Sequence, residues 1–129
     1  MPQQLIRILY VEDEADIRMV AQLALETVGG FSLEACSSGP EALEKIAAFR
    51  PQLILMDVMM PGMDGPTALA KIRELPEFAS TPLVFMTAKV QPREVASYKQ
   101  LGAVDVVPKP FDPMTLASTL QAIWARCNA

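Results

Sequence analysis

The chain has 129 residues, 51% of them hydrophobic, with 11 basic against 15 acidic side chains and a formal net charge of -4. That length fits one domain around one core, expected over 1–129, and the apolar content excludes wholesale disorder. Without a lysine or arginine run there is no footprint for direct nucleic-acid binding, and no apolar stretch is long enough to span a bilayer. Met1-Pro2-Gln3-Gln4 lacks the basic start and apolar segment of a secretory signal, so a cytoplasmic protein is expected. Histidine is absent, which removes His-dependent triads, most zinc sites and phosphohistidine carriers. Cys36 and Cys127 form no C-x-x-C and read as small apolar residues in a reduced compartment.

Leu5 to Val11 is a short apolar run ending at acids, a first strand. Residues 15–28 carry Ile17, Val20, Ala21, Ala24 and Val28 at helical spacing, and Gly29-Gly30 ends that helix. Phe31 to Cys36 alternates as a second strand nearer an edge. Ser38-Gly39-Pro40-Glu41 has the capping serine and early proline of a helix start, and that second helix runs to about Phe49. The uninterrupted run Leu53 to Met56 suits a strand covered on both faces. After Asp57 come a loop and a third helix over about 64–75. Pro82 to Met86 is a fourth strand, Pro92 to Leu101 a fourth helix, and Val104 to Val107 a fifth strand. Asp112-Pro113 caps a final helix running to about Arg126.

Five βα units in strict alternation predict an α/β fold with a parallel sheet covered on both faces. Right-handed crossovers narrow the topology, and five strands favour the flavodoxin-like order 2-1-3-4-5. In that order strands one and three are neighbours at the switch point, about 4.8 Å apart. Glu12 and Asp13 then meet Asp57 at the carboxyl edge, with Lys109 after the fifth strand. Three carboxylates there would repel one another unless a cation joined them. Hard oxygen ligands suit Mg²⁺, and Mg²⁺ beside a lysine suits a phosphoryl group. These residues point to phosphate chemistry on an aspartate.

The motifs are Glu12-Asp13, Asp57 followed by Met60-Pro61-Gly62-Met63-Asp64-Gly65, Thr87-Ala88 and Lys109-Pro110-Phe111. In this order, each at a strand end, the chain resembles a response-regulator receiver domain of two-component signalling over essentially its whole length. The resemblance implies that Asp57 is the phosphoacceptor and that Asp13 ligates Mg²⁺ directly, with Glu12 acting through water. The Met59 backbone carbonyl completes the metal set. Lys109 pairs with the phosphoryl group, Thr87 hydrogen-bonds it, and the peptide before Pro110 is cis. It implies a signalling switch with at most slow autodephosphorylation. The donor is a histidine kinase or a histidine-containing phosphotransfer protein, and the target is a downstream protein. The changed surface is the face formed by helix four, strand five and helix five, with homodimerisation through it left open.

Blander readings stand beside these. Asp57 alone would cap the following turn, Thr87 would be an ordinary strand-end hydroxyl, and Met59 and Lys89 would be exposed loop residues. Val106 departs from the family, which often has an aromatic ring there, so output is expected to use backbone shifts. Neither Met59 nor Lys89 can orient an attacking water, which predicts slow loss of phosphate. Met60 and Met63 are expected to form an adaptable contact surface. Trp124 reads as core or core edge, and Tyr98 is left undecided. A receiver cut from a longer regulator and a Mg²⁺-dependent aspartyl phosphohydrolase are the alternatives. The second is disfavoured by Met59, where such enzymes often carry a second acid. A nucleotide or flavin module is disfavoured by the acidic, glycine-free turn Glu12-Asp13-Glu14.

Overall fold

Each apolar run of the sequence becomes a strand, and the first four stretches of helical spacing cross over to the next strand. In the computed structural model, residues 3–127 are described. Met1 and Pro2 of the amino-terminal reading, and residues 128–129, lie outside them. In chain order the elements are β1 Arg7–Val11, α1 Ala15–Leu23, β2 Ser32–Cys36, α2 Gly39–Phe49, β3 Leu53–Asp57 and α3 Gly65–Arg73, then β4 Leu83–Thr87, α4 Pro92–Leu101, β5 Asp105–Pro108 and α5 Leu116–Cys127. All four strand pairings are parallel, and the sheet order is β2-β1-β3-β4-β5. This is the expected flavodoxin-like order.

Alternation along the strands divides the core in two. Ile8, Tyr10, Leu53, Leu55, Val84 and Met86 face Ala21, Leu25, Leu116, Leu120 and Ile123 of the α1 and α5 side. Leu9, Val11, Ile54, Met56 and Phe85 face Ala42, Ile46, Ala68, Leu69 and Ile72 of the α2 and α3 side. β3 and β4 are buried at every position, as a central parallel strand must be when helices cover both faces.

Local chemistry sets the helix ends. Ser38 Oγ accepts from the Glu41 N–H at 3.2 Å and Asp64 Oδ1 from the Thr67 N–H at 2.9 Å, each satisfying an orphan donor of the first turn. Gln91 and Glu94 cap α4 reciprocally. Gly102 ends α4 at φ 119, a left-handed conformation that a side chain would strain.

Beyond shifts of one or two residues at element ends, three features differ from the sequence reading. The helix expected over 15–28 is α-helical only to Leu23; Ala24–Val28 form a π-helical turn, with Gly29 N–H reaching Ala24 O at 3.0 Å. Apolar spacing hardly distinguishes the two windings. The close pass at Gly29, where a Cβ would lie 2.8 Å from Ala117 Cβ, brings that turn against α5. Asp112 caps a turn rather than the helix itself: its Oδ1 accepts from Met114 N–H at 2.8 Å, and α5 begins at Leu116. A one-turn 3₁₀ helix, Pro76–Phe78, lies between α3 and β4. Trp124 is buried at the core edge, and its indole N–H donates to Gln3 O at 2.6 Å. Both cysteines are free thiols, Cys36 buried and Cys127 exposed.

Candidate functional site

The parallel register aligns the strand ends, so the residues just past each strand gather at one edge. Val11 pairs with Met56, Asp57 with Met86, and Thr87 with Pro108. The ladder extends one residue further: Glu12 N–H reaches Cys36 O at 3.0 Å and Lys109 N–H reaches Thr87 O at 2.9 Å. One carboxylate oxygen from each of Glu12, Asp13 and Asp57 lies within 4.8 Å of the other two. Lys109 Nζ stands 2.7 Å from Glu12 Oε1 and 3.2 Å from Asp57 Oδ1. Topology brings together residues that are far apart along the chain.

Two of the three acids have left water, while Asp13 is half-buried. Glu12 is 0% exposed and Asp57 5%. Burial lifts the Glu12 carboxyl above the usual carboxylate range; hydrogen bonds from Lys109 and the Glu14 N–H oppose this, and the Asp57 charge adds to it. Burial alone would lower Lys109, but Glu12 and Asp57 hold its ammonium charged and raise it overall. Both directions have one origin. A single ammonium shared by two buried carboxylates is strongly held, yet it does not offset the desolvation of Glu12.

The donor set suits a hard cation. Asp13 Oδ1 is buried without a hydrogen-bond partner among the described residues, which is costly for a carboxylate unless a cation takes the lone pair. Three carboxylates meeting at one point match Mg²⁺, which binds through few protein oxygens and keeps several waters. The chemistry of the residues therefore fits that ion.

The flanking residues take distinct places. Thr87 is buried, and its Oγ1 accepts from the Lys89 N–H at 3.1 Å. Met59 is 63% exposed, and its N–H points to Asp57 Oδ1 at 3.4 Å. Lys89 is exposed, and the Lys109–Pro110 peptide is cis. Met60 and Met63 do not form the exposed contact surface expected of them. Met60 is 7% exposed and Met63 packs partly buried against the α2 and α3 core. Gly39 makes room, since a Cβ there would lie 2.7 Å from Met63 Sδ. Val106 is partly buried on the same side, and Tyr98 of α4 sets its ring edge-on to Phe85, with centroids 5.5 Å apart.

Sequence reasoning gave no role to three residues of the site. Arg18 Nη1 donates to the Glu12 carbonyl at 2.8 Å. Gly65 passes so close to the Asp57 strand end that a Cβ would lie 2.6 Å from Asp57 O. Tyr10 is fully buried beneath the acids with its hydroxyl unpartnered among the described residues. Gly65 had a signal, as a glycine directly after a capping aspartate; Arg18 had only its helical offset from Asp13.

No helix among the described residues is long and apolar enough to cross a membrane. Residues 8–121 match the family model for the response regulator receiver domain. The chain is 37% identical over 119 residues to the transcriptional regulatory protein CseB of Streptomyces coelicolor, covering 92% of this chain and 49% of that protein. It is 35% identical over 124 residues to the response regulator Rre1 of Synechocystis, covering 96% and 54%. The solved structure of chemotaxis protein CheY4 of Vibrio cholerae superimposes with a TM-score of 0.85 at 32% identity, covering 92% of this chain and 98% of that one. The chain spans about half the length of the curated relatives it matches. Five parallel strands in receiver order, acids and lysine converging at their carboxyl edge, and these matches agree: the chain belongs to the response regulator receiver domain family, the signalling domain of two-component systems.

Proposed function

We propose that Asp57 accepts a phosphoryl group from phosphohistidine on a histidine kinase or a histidine-containing phosphotransfer protein. The observation that carries this reading is the convergence of three carboxylates on one point with Lys109 Nζ bridging two of them. An Asp57 oxygen forms the new P–O bond as the donor P–N bond breaks, and the imidazole nitrogen leaves with the electron pair. Asp13, Asp57, Glu12 and the Met59 backbone carbonyl would hold Mg²⁺. The bound ion would supply positive charge against the phosphoryl oxygens.

The chain's own residues do the rest. Lys109 already sits within ion-pairing distance of Asp57 and takes up the phosphoryl charge once it arrives. Thr87 Oγ1 uses a lone pair on the Lys89 N–H, leaving its O–H free to donate to a phosphoryl oxygen and draw the loop after β4 inward. Output then passes to the face formed by α4, β5 and α5. Helix α4 has no buried residue, so few packing contacts hold it in one position. Val106 has no ring to rotate, and the change travels by backbone shift. The same face is where a homodimer would form and where a downstream protein would read the state. Met59 and Lys89 leave the phosphoryl group without a water-orienting carboxylate or amide, so its loss is slow.

The 129 residues act as one receiver domain, in the cytoplasm. A second reading rests on the relatives: spanning about half the length of CseB and Rre1, the chain also fits the receiver portion of a longer regulator. The test is incubation with Mg²⁺ and acetyl phosphate, read by intact mass. One added phosphoryl, absent in Asp57→Asn, is the expected result. Turnover of many donor equivalents would instead assign a phosphohydrolase.

A further inference from the structure

The acidic turn between β1 and α1 carries two of the three carboxylates, and its backbone is held from α1. The Arg18 N–H donates to Glu14 O at 2.9 Å. Its side chain reaches back over the same turn, with Nη1 2.8 Å from the Glu12 carbonyl and 3.5 Å from that of Asp13. Arg18 makes no ion pair among the described residues. The guanidinium therefore turns Nη1 to backbone carbonyls of the acidic turn, where it sets direction rather than neutralising charge.

Two effects of opposite sign compete. As a cation near a cation site, Arg18 repels Mg²⁺; its field is felt beneath the acids, lowering the Tyr10 hydroxyl against a rise driven mainly by burial. As a clamp on the turn, it aims Glu12 and Asp13 at Asp57 and favours the ion. The 2.8 Å hydrogen bond from Nη1 to the Glu12 carbonyl, with the longer 3.5 Å contact of the same nitrogen to the Asp13 carbonyl, outweighs one screened repulsion, because groups that orient metal ligands typically contribute about 10- to 100-fold in affinity. We propose that Arg18 is a positioning residue for divalent-ion binding, holding the Glu12–Asp13 turn so that its carboxylates converge on Asp57. This rests on Asp13, Glu12 and Asp57 being the ligands of Mg²⁺.

The test is the Mg²⁺ dissociation constant by calorimetry, with the Mg²⁺-induced rise in Tm, at one ionic strength. Arg18→Ala should bind about tenfold or more weakly and show a smaller rise in Tm. Arg18→Lys keeps the charge but loses the planar guanidinium and some of its reach to the Glu12 carbonyl. It should weaken binding about threefold or more, less than alanine does, and it decides the matter if alanine prevents folding. Binding within about twofold of the wild type, or tighter binding, in either folded variant would overturn the inference, since charge removal alone predicts tightening. If the wild-type protein bound no Mg²⁺, the ligand assignment itself would fall and take this inference with it.

Discussion

Lys109→Met replaces the ammonium shared by Glu12 and Asp57 with an apolar end of similar length. Its Nζ lies 2.7 Å and 3.2 Å from carboxylates whose side chains are 0% and 6% exposed. Removing one partner of a buried ion pair typically costs about 3–5 kcal/mol, because the charge left behind is uncompensated. The Lys109 side chain is itself 16% exposed, which places the expected loss at the low end, about 3 kcal/mol. For a domain of this size that is a fall in Tm of about 10 °C. Mg²⁺ should restore much of it: at 100 times its Kd, a ligand bound only by the native state adds about 2.7 kcal/mol. The variant should gain more from Mg²⁺ than the wild type, since no ammonium competes for the carboxylates. The assay is urea denaturation in EDTA and in Mg²⁺, with Lys45→Met as control. Lys45 pairs with Glu34 and Glu41 at 41% side-chain exposure, so its loss should matter far less. A loss in EDTA below about 1 kcal/mol, or a smaller Mg²⁺ gain in Lys109→Met than in the wild type, would refute the reasoning.

Gly65→Ala should destabilise by about 2 kcal/mol and weaken Mg²⁺ binding, since the new Cβ would lie 2.6 Å from Asp57 O; unchanged melting and calorimetry would contradict the close approach. Met59→Asn should shorten the half-life of the phosphorylated protein, followed by intact mass, and an equal or longer half-life would count against slow loss through Met59. Arg126 pairs with Asp105. Burial alone would raise the Asp105 carboxyl, but Arg126 and the Val106 N–H hold it below the usual range. That contribution is present above the ordinary carboxylate pKa and lost as pH falls through the lowered one. Arg126→Gln should therefore cost stability at pH 7 and converge with the wild type as the pH drops below about 4; a gap independent of pH would reject the pairing.

Periodicity and punctuation account for the parts of the fold that were legible in the sequence. Leu53 to Met56 has no polar interruption and is buried at every position. Ser38, Asp64 and Pro92 mark helix starts that the structure places within a residue. Convergence of Glu12, Asp13 and Asp57 could be reached from strand order alone, because a parallel register stacks strand ends. The misses share a different origin. Met60 and Met63 follow an aspartate in a Pro/Gly loop, where no periodicity says which side chain turns inward; for Met63 the space left at Gly39, distant in sequence, admits the side chain. The π turn at Ala24–Val28 ends at Gly29, which passes close to Ala117 of α5, a contact invisible locally. Arg18 drew no reading from the sequence. Its role depends on where a long side chain folds back, which residue spacing leaves open.

The most direct test of the central claim is diffraction from crystals soaked in Mn²⁺, which substitutes for Mg²⁺ and scatters anomalously. The account predicts one strong peak among Glu12, Asp13 and Asp57, within coordination distance of Asp13 and Asp57 oxygens, and lost in Asp13→Asn. A peak elsewhere, or none at a concentration that supports labelling of Asp57, would contradict it.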